Sequence, residues 1–421
     1  MCGIAFKYNK NGLPQALVEA MNRCLQAQSY RGPDETGLEA GDRFVIGHNR
    51  LSIVDLSGSR QPMASQCGRY LLAFNGEIYN YKALRAELAG WSFVTHGDTE
   101  VLLAGLVLQG DAFLSKMEGM WAFVLWDLHE QKALFSRDRF GKKPLFFEAE
   151  PGALHIASEL GALRQLTEKR WLEDRVQRAH FFKFGYMEPG QTIYSSVKEL
   201  LPGEMATWTP RDGLSRKRYY QLRVAPFIGS QEDAKEQLRC RLIDAVKKRM
   251  VADVEVGVFL SGGIDSSLVS SIAVESTGRD RLKAFSIGFA DTAYDESQFF
   301  RQMAQLLGVK LHERVIETLD PLLLKKLITL HLAQPFHDSS ILPTWLVSNL
   351  AGEHVKVVLT GDGADELFCG YERYRAQALF ALYRKIPKEM RLFVRRWVRR
   401  FDEPLAHHSR SLLKKMRLFV E

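Results

Sequence analysis

Apolar positions recur at two different periods along this chain, and the rhythm changes near residue 205. In the first half Leu13, Leu17, Ala20, Met21, Cys24 and Leu25 fall three and four residues apart, which predicts one amphipathic helix. Residues 43–55 and 70–77 read as strands, the second ending in an Asn-Gly turn. Residues 81–89 and 99–108 read as helices, each with a glycine just beyond its end. Residues 120–127 and 132–137 predict a hairpin, and 154–158 one more strand. Strands and helices mixed without strict alternation predict sheets covered by helices.

Pro202, Gly203, Pro210, Gly213 and Pro226 then punctuate a stretch with little apolar period, which reads as a linker over 206–230. From Gln231 a long amphipathic helix runs to about Met250. Beyond it strand and helix alternate: strands over 254–260, 282–289 and 355–360, with helices to 276 and over 297–307. That alternation predicts a parallel, doubly wound sheet. The expected organisation is therefore α/β and α+β in two domains, 1–205 and 231–421, joined by the linker. No internal repeat is visible.

Composition narrows the function classes. A chain of 421 residues exceeds one ordinary core, and 46% hydrophobic with 25% charged residues is a globular balance. No apolar run is long enough to span a bilayer, and the N-terminus has no basic segment followed by a sustained apolar stretch. The expectation is a cytoplasmic protein with no membrane partner. Five cysteines without CxxC spacing, and eleven histidines without HxxxH or HExxH, argue against a disulfide framework or a zinc site. The net charge of +7 owes much to basic residues within 384–417, read as a solvated helical face. No nucleic-acid-binding motif accompanies them, so no nucleic acid is expected.

Cys2 directly follows the initiator Met. Taken alone it is an incidental small residue that permits Met removal. The alternative is chemical: removal exposes one residue carrying a thiol nucleophile and a free α-amine, whose ordinary pKa of about 7.7–8.0 leaves much of it neutral near pH 7. The company it keeps favours chemistry. Tyr30-Arg31-Gly32-Pro33-Asp34, His48-Asn49-Arg50-Leu51-Ser52-Ile53-Val54-Asp55, Phe74-Asn75-Gly76-Glu77-Ile78-Tyr79-Asn80 and Gly97-Asp98-Thr99-Glu100 occur in order. These motifs resemble those of class II glutamine amidotransferases, the N-terminal-nucleophile glutaminases, and the resemblance covers about the first 200 residues. It implies an αββα sandwich with Cys2 as nucleophile. Asn75 and the Gly76 N–H would form the oxyanion hole, the two donors a tetrahedral intermediate needs. Glutamine would be held by Arg50 at its carboxylate and by Glu77 and Asp98 at its ammonium, with backbone groups of Leu51, Ser52, Ile53 and Val54 lining the pocket. Arg31 stays outside the catalytic set, as a residue of a structural salt bridge.

In the second half, Val256-Gly257-Val258-Phe259-Leu260-Ser261-Gly262-Gly263-Ile264-Asp265-Ser266-Ser267 reads as buried strand, glycine-rich turn and helix start. A glycine pair alone is simply a turn. Following a strand and opening an apolar helix, it presents N–H groups and a helix dipole to an anion. Ser261, Ser266 and Ser267 add hydroxyl donors, and Asp265 offers a carboxylate for Mg²⁺ beside phosphates. There is no Walker lysine. The loop resembles the pyrophosphate loop of synthetases that make acyl-adenylates, and its pairing with Cys2 resembles the asparagine synthetase family. That resemblance implies ATP contacts at Leu260, Ser261, Gly262, Gly263, Asp265, Ser266, Ile287, Thr360 and Gly361. It also implies Mg²⁺ shared by Asp265 and Asp365, and Asp362 near the activated carboxylate, where many members carry Glu.

The implied reaction joins glutamine, ATP and aspartate to give asparagine, AMP, PPi and glutamate, with a homodimer as candidate assembly. Two alternatives stay open: an amidotransferase of the same design acting on another carboxylate, as in surface polysaccharide or secondary metabolism, and a relative retaining only glutaminase activity. The second arises because family members usually continue into a helical segment bearing a lysine. Lys414 and Lys415 lie instead in an ordinary amphipathic stretch, so 231–421 is expected to be C-terminally short.

Overall fold

The computed structural model describes residues 1–291, 295–318, 320–398 and 400–401. Contacts divide the chain into two compact units, Met1–Leu359 and Thr360–Glu421.

Two six-stranded sheets build the first part of the larger unit. Its strands, in chain order, are β1 (Gly3–Asn9), β2 (Glu35–Ala40), β3 (Phe44–Arg50), β4 (Met63–Ala64), β5 (Tyr70–Ile78), β6 (Gly119–Asp127), β7 (Lys132–Arg137), β8 (Phe146–Glu150), β9 (Ala153–Ala157), β10 (Lys198–Glu199), β11 (Glu204–Thr209) and β12 (Gly213–Arg218). One sheet runs β10-β8-β9-β1-β3-β2, the other β12-β11-β7-β6-β5-β4. Side chains alternate between faces along a strand. Thus Ile4, Phe6 and Tyr8 of β1 meet Ala122, Val124 and Trp126 of β6 between the sheets. Trp121, Phe123 and Leu125 point the other way, into a cluster with Leu102 and Leu103 of the helix Asp98–Gln109. Ala5 packs outward with Leu17 and Met21 of the helix Pro14–Ala27. Helix, sheet, sheet, helix is the resulting order of layers, and strands buried on both faces explain why β5 and β6 read as nearly continuous apolar runs.

Three local expectations are corrected. Asn75 and Gly76 do not form a turn: both lie inside β5, opposite Ala122 and Trp121, because pairing with β6 continues to Ile78 and Gly119. A Cβ on Gly76 would lie 2.2 Å from the Met120 carbonyl oxygen, so the glycine serves close backbone approach. The strand expected over 43–55 stops at Arg50, and residues beyond it turn back to hydrogen-bond the Arg50 side chain. Residues 206–218, expected as linker, instead supply β11 and β12, which close the second sheet and bury Trp208 against Tyr8 with ring centroids 5.1 Å apart. The exposed Arg216, Lys217 and Arg218 of this edge strand hid the pattern.

After the helix Gln231–Arg249 come β13 (Val256–Phe259), β14 (Lys283–Phe289), β15 (Lys310–Ile316) and β16 (Val357–Leu359), all parallel, in the order β15-β14-β13-β16. β15 was not among the expected strands, because its charged residues are mostly exposed at the sheet edge. Helices Ile264–Thr277 and Ser297–Leu307 cover one face and Ile341–Gly352 the other, so the sheet is doubly wound. The smaller unit contains the helices Ala364–Phe368, Glu372–Tyr383 and Lys388–Val398. Lys414 and Lys415 lie outside the described residues. Among the described residues no helix is long and apolar enough to cross a membrane.

Candidate active site

Cys2 sits one residue before β1, where Gly3 pairs with Asn49 at the end of β3. This register brings the thiol beside residue 51, whose N–H donates to Sγ at 3.4 Å. Buried Arg31 clamps the same residue from behind: its Nε donates to the Cys2 carbonyl at 2.9 Å while Nη1 pairs with Glu159 at 2.7 Å. Burial pushes the Cys2 thiol pKa up, partly opposed by the Leu51 N–H. Burial also pushes the adjacent terminal amine, here that of Met1, down to about 5.

From β3, in the same sheet as β1, His48 bonds through Nε2 at 3.0 Å to the Phe74 carbonyl of β5 on the facing sheet, tying the two sheets together next to Asn75. Burial drives the His48 pKa down to about 4. The Asn75 side chain is 1% exposed, and neither Nδ2 nor Oδ1 has a partner among the described residues. Leaving a buried amide unpaired costs about 1–3 kcal/mol. Such a group is suited to a ligand that completes its hydrogen bonds.

Glu77 and Asp98 are both buried carboxylates. Asp98 opens the helix Asp98–Gln109 and accepts the Ile78 N–H at 2.9 Å. Burial raises its pKa to about 6, and burial together with Asp98 raises that of Glu77. The sequence reading missed Lys143, a buried cation whose charge Glu77 favours although burial disfavours it. Its loop wraps the Asp138 carboxylate, which accepts the N–H groups of Phe140, Lys142 and Lys143. Apolar spacing gives no warning of this; Asp138 followed by Gly141 was the available signal.

Arg50 is buried, and its guanidinium is already engaged by its own loop. Nη2 donates to the Asp55 carbonyl at 2.6 Å, and Nη1 to the Leu56 carbonyl at 3.2 Å. Glu35 lies 3.4 Å from Nη1. Ser52 N–H is held by Asp34, the Ile53 carbonyl by the Asp253 N–H, and Val54 packs against the helix-side core. A cavity of about 470 Å³ opens beside Arg50, lined also by Asp34, Glu35, Ser52, Leu56 and Lys356.

At the carboxyl end of β13, Leu260 is buried, and residues 261–263 turn into the helix Ile264–Thr277. Ser261 and Ser266 hydroxyls meet at 2.9 Å and pin the turn shut. Gly262 has φ 79°, and a Cβ there would come within 2.7 Å of the Phe299 and Phe300 backbone. Ser266 and Ser267 are buried, whereas Asp265 is half-buried and has no hydrogen bond or ion pair among the described residues. A carboxylate with no partner among the described residues, at a glycine turn that opens a helix, fits a hard cation. Ile287 lies on the neighbouring β14, partly buried against Phe285 and Leu350. In the smaller unit, the Thr360 hydroxyl donates to Asp362 at 2.9 Å, Gly361 lies between them, and Asp365 falls in the short helix Ala364–Phe368.

A layered sandwich with a cysteine at the head of its central strand defines a glutamine amidotransferase domain, and residues 1–220 match the family described by that name. Residues 237–419 match the family described as asparagine synthase. The chain belongs to the glutamine-hydrolysing asparagine synthetase family. It is 33% identical over 399 residues to asparagine synthetase [glutamine-hydrolyzing] 1 of Bacillus subtilis, covering 93% of this chain and 62% of that relative's length. Against a putative asparagine synthetase of Methanocaldococcus jannaschii identity is 32%, covering 93% of this chain and 80% of that one. Amidase chyE of Penicillium rubens is 31% identical over 88% of this chain and 57% of its own length.

Proposed function

We propose that this chain hydrolyses glutamine at Cys2 and delivers the ammonia to a carboxylate activated with ATP, aspartate being the acceptor. The buried, unpartnered Asn75 amide carries this reading, because it lies next to Gly76 on β5 as an oxyanion donor should. Once Met1 is removed, the α-amine belongs to Cys2 itself. A buried site that disfavours charge keeps thiol and amine neutral at rest, so the proton leaves sulfur for nitrogen as attack on the amide begins. The tetrahedral oxygen then takes donors from Asn75 Nδ2 and the Gly76 N–H. Glu77 and Asp98 receive the substrate ammonium, and Arg50 the substrate carboxylate.

In the synthetase half, Ser261, Gly262, Gly263 and Ser266 present donors to pyrophosphate, while Leu260, Ile287, Thr360 and Gly361 contact the nucleotide. Asp265, with Asp365 as the family resemblance implies, would hold Mg²⁺, which would supply positive charge against the phosphates. Asp362 stands near the acceptor carboxylate. Residues 1–205, completed by β11 and β12, and 231–421 are the corresponding functional parts.

A different carboxylate is the second reading, favoured by the similarity to an amidase of another name. Incubating the purified chain with glutamine and Mg-ATP, and quantifying glutamate, AMP and asparagine with and without aspartate, tests both. Aspartate-dependent AMP and asparagine support the first reading. ADP and phosphate in place of AMP and PPi would sink the pyrophosphate-loop assignment, and AMP formed only with other carboxylates would favour the second.

A further inference from the structure

The loop that grips Arg50 is itself held by the parallel-sheet part of the chain. Asp253, three residues before β13, accepts the Asp55 N–H on Oδ2 at 2.7 Å, and its own N–H donates to the Ile53 carbonyl at 3.0 Å. Lys356, immediately before β16, pairs at 2.6 Å with Asp34 Oδ2, the same oxygen that accepts the Ser52 N–H. β13 and β16 are neighbours in register, Val256 opposite Val357, so two adjacent strands enter the sheet from one anchored edge.

Asp55 is the point where these contacts converge. Its backbone is left-handed, with φ 51°, a conformation that Asp tolerates better than most non-glycine residues. Its carbonyl accepts from Arg50 Nη2 at 2.6 Å. Its carboxylate accepts the Gly58 N–H at 3.1 Å, the Ser59 hydroxyl at 2.9 Å and the His96 N–H at 3.0 Å, two residues before Asp98. One residue thus links the cation and one acid of the glutamine site, and its remaining backbone donor is spent on Asp253.

We propose that Asp253 is a positioning residue for glutamine: by holding residue 55 it fixes the Arg50 guanidinium, so the synthetase half completes the glutaminase carboxylate site. Lys356 supports the same loop from the neighbouring strand. The inference rests on the glutamine reading for its ligand but not for its geometry. Asp253 is exposed and belongs to no core cluster, so its replacement tests the hydrogen bond with little disturbance to packing.

In the full chain, Asp253→Ala should raise the glutamine KM roughly tenfold, as expected for losing a charged acceptor, with kcat within about twofold. Asp253→Asn, whose amide oxygen can still accept the Asp55 N–H, should restore most of the affinity. Phenylglyoxal modification of Arg50, followed by peptide mass spectrometry, should be faster in Asp253→Ala and near wild type in Asp253→Asn. An unchanged KM with Arg50 equally protected overturns the proposal, as does a loss confined to kcat. Should Asp253→Ala not fold, Lys356→Met is read by the same two measurements, with the same outcomes deciding. If the wild-type chain hydrolyses no glutamine, the functional reading fails by itself, while the Arg50 modification rates still decide the tether.

Discussion

The two chemical centres of the larger unit handle charge in opposite ways. Around Cys2 the charges are buried and committed before any ligand arrives: Arg31 to Glu159, Arg50 to backbone carbonyls, Glu77 beside Asp98 and Lys143. At the end of β13 the hydroxyls close the turn on themselves and the half-buried carboxylate of Asp265 has no partner among the described residues. A neutral amide substrate is activated by dipoles and proton transfers aligned in a dry site. A polyanionic nucleotide arrives with its own cation, and what it needs is an open turn of N–H groups. One centre is thus preorganised by tertiary packing, while the glycine turn of the other is carried by one strand, one turn and one helix.

The sharpest way to break that contrast is Cys2→Ala. It should lower glutamine hydrolysis more than about 10³-fold, equivalent to about 4 kcal/mol of barrier, while any synthesis from free ammonia persists. Retention of a tenth of the wild-type rate would end the covalent mechanism, and intact mass should show mature chains beginning at Cys2. Asp265→Asn should remove AMP and PPi release and leave glutaminase activity as it is, because an amide carries no charge to hold a cation; loss of both activities would show the centres are not separable.

Asn75→Ala should cost about 10²–10³ in kcat for glutamine with a smaller change in KM. Because the amide has no partner among the described residues, the variant should lose little thermal stability. A large drop in Tm would mean that Asn75 is structural.

The pH dependence separates the centres more gently. Burial raises the Asp98 pKa from 3.8 to about 6 and raises that of Glu77, so the folded chain favours the neutral form of both more than the unfolded chain does. Their contribution to stability is present at low pH and lost as pH rises through the raised values. On the proposed function glutamine binding would run the other way: its ammonium would need the ionised carboxylates, so affinity should rise with pH between about 4 and 6 as Asp98 ionises. His48 opposes the stability trend, since its depressed pKa makes the fold lose stability as pH falls from 6.5 toward about 4. Calorimetric titration of Cys2→Ala with glutamine across this range checks the first statement; pH-independent affinity would remove Glu77 and Asp98 from the ammonium site. Smallest in effect, Gly76→Ala should destabilise by about 1–3 kcal/mol through its clash with the Met120 carbonyl, measured as a lower Tm.

What the sequence determined by itself is local. The strand, glycine turn and helix over 256–277 follow from apolar run, glycine pair and helical period, and the residues of that turn were legible because they are consecutive. The amphipathic helix at 14–27 and the hairpin of β6 and β7 were equally plain. Tertiary structure decided the rest, for reasons of distance and exposure. Asn75-Gly76 looks like a turn until β6 pairs across it. The edge strand β12 looks like linker because its outer face is charged, and only the neighbouring β11 gives its inner face something to bury against. Glu77 acts on Lys143, and Asp253 bonds Asp55, between residues 66 and 198 apart in sequence number. No period or spacing encodes such meetings, since they exist only after two sheets stack and a third packs at their edge.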